Sequence, residues 1–389
     1  MKSFFKYGVV RVLRILVRVF YIFPIKENIF FFFCYSGEQY SCNPRRVSEY
    51  LQEHFSDEIE IIWAFKEPDH FKCLSDQGIK TVKYGSIMHI FYEARAKVCI
   101  NNIGSYSWIP LRKKQLHVNT WHGGGCYKKI RISKGNKEDY FEKKALFYTN
   151  KETTHFISSS AWFSLNVLRK ERMFTGKIIE VGMPRNDILF DNNGIKKKRN
   201  DIRRKYCIDG NSMIILYAPT WRRNSTLVLP DFSLLCNSIE ERFEKKSKIF
   251  IRAHHCTKNI VMKDMVDTII DVTDYPDMQD LLCACDVLIT DYSSSIWDYS
   301  FTYKPCFLFT SDLDQYTEDR GFSRDIYSWG FPVCRNDRDL NEAILNFDQE
   351  RFIKNMEYHH KDLGSFEKGN ATEKFCEYIM GEIGLREKK

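Results

Sequence analysis

The chain has 389 residues, 43% of them hydrophobic and 28% charged, which is ordinary globular composition with room for two or three domains and large buried cores. That composition excludes a disordered, collagen-like or polytopic membrane protein. Lys and Arg total 59 against 51 Asp and Glu, a net charge of +8; the excess suits phosphate-rich ligands or an anionic membrane surface and is too small to demand nucleic acid.

Residues 1–25 are apolar but carry Lys2, Lys6, Arg11, Arg14 and Arg18. No window of about 18 apolar residues is free of charge, which argues against a spanning helix. Charges run through the apolar stretch and no small-residue cleavage site follows, which argues against a signal peptide. At about 100° per residue, Arg11, Arg14 and Arg18 share one narrow face, Val10, Leu13, Leu16, Val17 and Phe20 lie largely away from it, and Pro24 stops the helix. The pattern predicts a basic amphipathic helix lying in the interface of an anionic bilayer. The competing reading is a helix packed on its own domain with solvated arginines, and Lys2 and Lys6 fall on a different face.

Short apolar runs then alternate with helical stretches. The predicted strands are Ile29–Cys34, Ile59–Phe65, Ile79–Tyr84, Lys97–Asn101, Leu116–Trp121, Thr154–Ser158 and Ile178–Val181, and, after the basic stretch Lys196–Asn200, Met213–Ala218, Ile249–Arg252, Thr268–Val272, Val287–Thr290, Cys306–Phe309 and Phe331–Cys334. Most are continuously apolar and rich in β-branched or aromatic residues, as strands buried on both faces must be. Arg45–Phe55, Asp277–Cys285 and Ile296–Tyr303 read as helices between them. This is βαβ architecture built twice, an α/β fold of two facing doubly wound, Rossmann-like domains. The predicted division is 1–25 for the amphipathic helix, 26–195 for an acceptor-side domain and 196–389 for a donor-binding domain. The 13 cysteines are scattered, form no CxxC pair and often sit inside apolar runs, so they read as small buried hydrophobes in a reducing cytosol. His254-His255-Cys256 has no second ligand cluster at metal spacing, so no metal is predicted.

In such sheets ligands sit beyond the carboxyl ends of the strands. His122 follows a strand and precedes Gly123, Gly124 and Gly125. It could take a proton from an attacking hydroxyl, or merely hydrogen-bond its own loop. Thr220 is a hydroxyl at the edge of the second sheet, and alone it reads as a turn residue. Arg252 and His254 share one side of a strand end, where they could grip a phosphate or pair with a carboxylate. Asp291-Tyr292-Ser293-Ser294-Ser295 runs from a strand into a helix. Its hydroxyls, with the helix's N–H groups, suit an anion, and Ser293 or Ser294 would also serve as an ordinary N-cap. There is no GxxxxGK[ST] and no GxGxxG after a strand, which counts against a P-loop ATPase and against NAD. The residues alone point to a nucleotide-linked donor on the second half and an acceptor on the first.

At these residues the sequence resembles the CDP-glycerol glycerophosphotransferase family of teichoic-acid synthesis. The matching pieces, in order over roughly residues 29–330, are Tyr35-Ser36-Gly37, Asn43-Pro44-Arg45, Thr120-Trp121-His122-Gly123, Gly182-Met183-Pro184-Arg185-Asn186-Asp187, Tyr217-Ala218-Pro219-Thr220-Trp221, Arg252-Ala253-His254, Tyr275-Pro276-Asp277, Asp291-Tyr292-Ser293-Ser294 and Arg320-Gly321-Phe322. The resemblance implies a GT-B-like fold and a peripheral, monotopic enzyme at the cytoplasmic face of the cell membrane. It also implies a CDP-glycerol or CDP-ribitol donor and a lipid-linked or polysaccharide acceptor of cell-wall or capsule synthesis. By the same resemblance His122 is the base, and His254 with Arg252 steadies the pyrophosphate. Thr220, Ser293 and Ser294 line the donor phosphates, Asp291 and Tyr275, Pro276 and Asp277 shape the nucleotide pocket, and Asn43, Arg185, Asn186, Gly123 and Gly124 lie on the acceptor side. No obligatory metal or other cofactor is expected. Family members often have Gly-Thr-Pro after the Trp-His pair, where this chain has three glycines; a barer, roomier loop is the expectation. The length is nearer that of single-transfer, primase-like members. The alternatives are a glycosyltransferase of the same architecture using a nucleotide sugar, and a non-catalytic membrane-bound scaffold with a vestigial nucleotide site.

Overall fold

The computed structural model describes residues 2–104, 108–125, 127–129, 140–220, 228–253 and 268–385. The chain forms two compact units. The first takes Met1–His122, Ile132–Asp187 and Phe366–Lys389; the second takes Gly123–Arg131 and Ile188–Ser365. The sequence pattern suggested a single boundary at 195/196, whereas this division is discontinuous in both units.

The first unit holds a seven-stranded sheet: β1 Lys26–Phe33, β2 Glu60–Phe65, β3 Lys80–Lys83, β4 Ala96–Asn101, β5 Leu116–Asn119, β6 His155–Ser158 and β7 Lys177–Glu180, in the order β3-β2-β1-β4-β5-β6-β7. Every pairing is parallel. Phe30, Phe31, Phe32 and Phe33 are at most 1% exposed, which is why β1 reads as an unbroken apolar run: both faces of a central parallel strand are covered. The second unit holds β8 Met213–Ala218, β9 Ser247–Ile251, β10 Ile269–Asp271, β11 Val287–Thr290, β12 Cys306–Phe309 and β13 Val333–Cys334, in the order β10-β9-β8-β11-β12-β13. Both sheets thus start at the third strand, step back to the first and then jump to the fourth, the doubly wound order with a switch point beside the first strand. All thirteen predicted strands form, each within three residues of its expected ends, and the fold is the α/β, GT-B-like class expected. Nine of the eleven described cysteines are buried and none is bridged, so they do pack as small hydrophobes.

Two elements differ from expectation. Residues 366–389 return to the first unit. Glu367 accepts from Met183 N at 3.0 Å and from Asn186 Nδ2 at 3.1 Å, and Asp187 caps the helix Ala371–Glu382 by accepting from Ala371 N and Thr372 N. The N-terminal helix, Lys2–Val17 continued by a 3-10 turn over Arg18–Ile22, also turns its faces otherwise than predicted. Arg14 points inward, donating to Glu152 Oε1 at 2.5 Å and lying 4.2 Å over the Tyr148 ring, between buried Val10 and Val17. Val12, Ile15, Leu16, Val19 and Ile22 are more than half exposed, with Arg11 and Arg18 exposed beside them. Among the described residues, no helix is long and apolar enough to cross a membrane.

Candidate active site

In the first unit the polar residues gather at the carboxyl ends of β1, β4 and β5, on the switch-point side of the sheet. His122 stands three residues past β5. Its Nδ1 lies 2.8 Å from the Asn102 carbonyl oxygen. A carbonyl only accepts, so Nδ1 carries the proton, and Nε2 is the basic nitrogen of the neutral ring. The Asn102 side chain in turn accepts from Tyr35 N at 2.9 Å, and the Tyr35 ring meets the imidazole edge-on at 5.8 Å. Trp121 stacks on the His122 ring at 5.2 Å and 20°, and burial pushes the Tyr35 phenol well above its usual range.

The backbone reaching His122 is strained. Trp121 has φ +57, a value bulky residues rarely adopt. Three contacts hold it there: Asn119 Oδ1 accepts from Trp121 N at 2.8 Å, and Asn43 Nδ2 donates to the carbonyls of Thr120 at 3.0 Å and Trp121 at 3.1 Å. Asn43 Oδ1 accepts from Arg185 N at 3.0 Å, and the Arg185 guanidinium donates to the His122 carbonyl at 2.8 Å. Asn43 and Asn186 are 0% exposed and Arg185 is 6% exposed. These three were expected on the acceptor side; polar atoms of Asn43 and Arg185 clamp the His122 loop, and those of Asn186 meet Glu367.

In the second unit the predicted donor residues occupy adjacent strand ends. Arg252 follows β9, Thr220 follows β8 and Asp291 to Ser294 follow β11, on strands that neighbour one another in the sheet. Thr220 is fixed by Asp291: its N–H lies 2.9 Å from both carboxylate oxygens and its hydroxyl donates to Oδ1 at 2.6 Å. Asp291 is 2% exposed and also accepts from Tyr292 N at 2.5 Å. It therefore acts behind Thr220, as a buried anion that sets the loop. Arg252 N donates to the Tyr217 carbonyl at 2.9 Å, splicing β9 to β8 at this edge. Ser293 and Ser294 are half-buried at the start of the short helix Ser295–Ser300. Ser293 Oγ accepts from Ser295 N at 3.3 Å, while Ser294, at the N-cap position, makes no side-chain cap bond.

Asp277 is buried and caps the helix Met278–Ala284 by accepting from Gln279 N at 3.1 Å. Pro276 is exposed and Tyr275 half-buried beside it; burial, then the nearby Asp280, raises the Tyr275 phenol. His254, with His255 and Cys256, lies outside the described residues. Gly123 and Gly124, expected on the acceptor side, fall in the second unit. A Cβ on Gly124 would stand 1.8 Å from Trp297 Cδ1, so this glycine allows a close approach and does not widen the loop. Among the described residues one trio of metal-ligating types gathers, Glu93, Cys99 and His117, with ligand atoms within 4.8 Å of one another. It sits on β4, β5 and the helix Ile87–Arg95, nearer the other end of the strands from His122, and Glu93 Oε2 is already 2.7 Å from His89 Nε2.

Sequence reasoning missed Asn102, whose contribution is a main-chain carbonyl that no side-chain pattern marks, and Asn119, an ordinary strand residue in the pattern. The part of the clamp made by Asn43 was equally hidden, because Asn43 lies 77 positions from Thr120 and 142 from Arg185.

Comparison with known proteins gives the family. The chain is 28% identical to the teichoic acid poly(glycerol phosphate) polymerase of Bacillus spizizenii over 96% of its own length and 97% of that protein's. It is 25% identical to the teichoic acid glycerol-phosphate transferase of Staphylococcus aureus over 91% of this chain and 93% of that one. A solved structure of the wall teichoic acid polymerase TagF, from a crystal soaked with CDPG, superposes with a TM-score of 0.82 at 22% identity, covering 97% of this chain and 96% of that one. The model of the CDP-glycerol:poly(glycerophosphate) glycerophosphotransferase family matches residues 15–381, and the chain belongs to that family.

Proposed function

We infer that this enzyme transfers a polyol phosphate from a CDP-polyol to an acceptor hydroxyl and releases CMP, in the synthesis of a teichoic-acid-like or capsular surface polymer. Glycerol phosphate is the leading group and ribitol phosphate the variant. The acceptor is a lipid-linked or polysaccharide hydroxyl. Family membership over residues 15–381 supports the reaction class. The observation that carries the mechanism is the tautomer imposed on His122 by the Asn102 carbonyl.

In this reading the acceptor oxygen attacks the donor's distal phosphorus in line. A bond forms from that oxygen to phosphorus as the phosphorus–oxygen bond to CMP breaks, and the hydroxyl proton goes to His122 Nε2. Asn43, Arg185 and Asn119 hold the ring's backbone in register. Arg252, with the loop of Ser293 and Ser294, holds the donor phosphates, and His254 joins them. Fixed cations and N–H groups do the work a divalent metal would do at a diphosphate, so no metal is obligatory. Peripheral attachment at the cytoplasmic face of the membrane belongs to the same reading. The exposed apolar row Val12, Ile15, Leu16, Val19 and Ile22, flanked by Arg11 and Arg18, suits the interface of an anionic bilayer.

The test is to offer the enzyme CDP-glycerol, CDP-ribitol and a UDP-sugar in parallel, follow CMP and UDP, and weigh the lipid-linked product by mass spectrometry. CMP release with a mass gain of one polyol phosphate or more is expected, and it should survive excess chelator. UDP release alone would favour sugar transfer, and thermal stabilisation by CMP without turnover would favour a binding scaffold. Complete loss in chelator would overturn the metal-free mechanism.

A further inference from the structure

Lys128 was not among the residues singled out by pattern. It lies on the strap Tyr127–Lys129, which follows β5 in sequence but belongs to the second unit. The strap is built in. Lys128 and Phe322 form an antiparallel bridge, Lys129 N donates to the Gly321 carbonyl at 3.2 Å, and Ser323 N donates to the Tyr127 carbonyl at 2.8 Å. Tyr127 is 2% exposed, its hydroxyl lies 2.8 Å from His359 Nε2 and its ring is 4.4 Å from Trp329. The main chain of Lys128 is therefore held as firmly as a strand would hold it. From there the half-buried side chain reaches Thr220, where Nζ donates to Oγ1 at 3.3 Å.

That contact reassigns the work at this strand end. A carboxylate cannot donate, so the 2.6 Å bond between Thr220 and Asp291 takes the only proton of the Thr220 hydroxyl. Thr220 thus faces Lys128 as an acceptor, and an anionic oxygen arriving here meets a lone pair on Thr220 but N–H groups on the ammonium. An ammonium is a compact charge suited to phosphate. Arg252 stands past β9 and Ser293 past β11, on either side of Thr220 at the end of β8.

We propose that Lys128 is a donor-phosphate-binding residue: tethered to Thr220, which Asp291 holds, its ammonium neutralises the diphosphate of the nucleotide-linked donor. The proposal rests on the reading that the second unit binds a CDP-polyol, and it adds a second cation to the Arg252 of that reading.

The test compares the intact wild type with K128M, K128R and K129M by calorimetric titration with cytidine, CMP, CDP and inorganic pyrophosphate, alongside CDP-glycerol turnover and thermal melting. K128M is expected to bind CDP and pyrophosphate about ten- to a hundredfold more weakly, the range for a lost charge-assisted hydrogen bond, and to keep cytidine affinity within about twofold. K128R, which retains the charge, should recover most of the loss, and K129M, whose side chain is exposed on the same strap, should behave as wild type. CDP and pyrophosphate affinities unchanged in K128M overturn the proposal. So does an equal loss of cytidine and CDP binding, which marks a structural lysine. Should K128M fail to melt cooperatively, K128R losing as much phosphate affinity as a neutral K128Q overturns it instead. If Lys128 governs pyrophosphate binding while no CDP-polyol is turned over, the phosphate assignment stands and the proposed reaction falls.

Discussion

Asn43→Ala tests directly how the first unit sets its base. The side chain is 0% exposed and makes three main-chain hydrogen bonds, donating to the carbonyls of Thr120 and Trp121 and accepting from Arg185 N. Truncation leaves two carbonyls and one N–H without this partner, in a place water reaches poorly. At about 1–3 kcal/mol for an orphaned group, with carbonyls at the mild end because they have two lone pairs, the loss should be roughly 3–5 kcal/mol. The clamp also holds Trp121 at φ +57, a strain of order 1–3 kcal/mol that relaxes once the amide is gone. His122, one residue on, then drifts from the Asn102 carbonyl. A displacement of about 1 Å at a reacting group costs about a hundredfold in rate, so turnover should fall about ten- to a hundredfold while CMP affinity, which the proposed function assigns to the other unit, stays within twofold. Urea melts read the stability, CMP release reads turnover and titration with CMP reads affinity. A variant that melts earlier as expected but turns over like wild type would refute the positioning role; one that melts unchanged would refute the hydrogen-bond account itself.

Four further outcomes are expected. His122→Ala should lower turnover by ~10²–10⁴ and leave CMP affinity nearly unchanged; wild-type turnover removes His122 from the mechanism. Gly124→Ala forces a methyl to within 1.8 Å of Trp297, which is 0% exposed, so a loss of at least ~1–3 kcal/mol is expected in a melt, and an unshifted melt contradicts the packing. Burial lowers His359 to about 3, with adjacent His360 adding to the effect, and lowers His360 to about 4. The unfolded chain takes up these protons near pH 6.5 and the folded one does not, so their stabilisation is complete above that pH and declines as pH falls toward 4, by about 1.4 kcal/mol per unit for each ring. Urea midpoints between pH 7.5 and 5 read this, and a profile that is flat, or no flatter in His360→Asn, speaks against it. Replacing Ile15, Leu16 and Val19 together by Ser should abolish co-sedimentation with phosphatidylglycerol vesicles without altering the melt; undiminished binding would place membrane contact elsewhere.

The sheets were legible because their signal is local. Phe30 to Phe33, Ile214 to Tyr217 and Val287 to Ile289 are consecutive apolar residues, and burial of both faces asks nothing of distant sequence. The strand-end rule then pointed to His122, Thr220, Arg252 and Ser293 from position alone. The rule says where a residue stands, not what its side chain touches. Asn43, Arg185 and Asn186 stood in matching motifs, and only contacts across 63 to 181 positions showed that their polar atoms are used internally. The N-terminal helix failed differently. Its periodicity was read correctly, but periodicity assigns faces by polarity, and Glu152 with Tyr148 made an inward arginine favourable while the apolar row faces out.

What the sequence by itself determined is therefore the pair of parallel sheets, their strand order by class and the edge at which chemistry gathers, since these follow from continuous apolar runs and chain order. Tertiary structure alone decided which nitrogen of His122 is basic, that Asp291 claims the Thr220 proton, that Lys128 joins it, and that residues 366–389 close the first unit. Each of those is a hydrogen bond or a docking surface between residues far apart in the chain. Its direction depends on atoms meeting at about 3 Å, which no local pattern encodes.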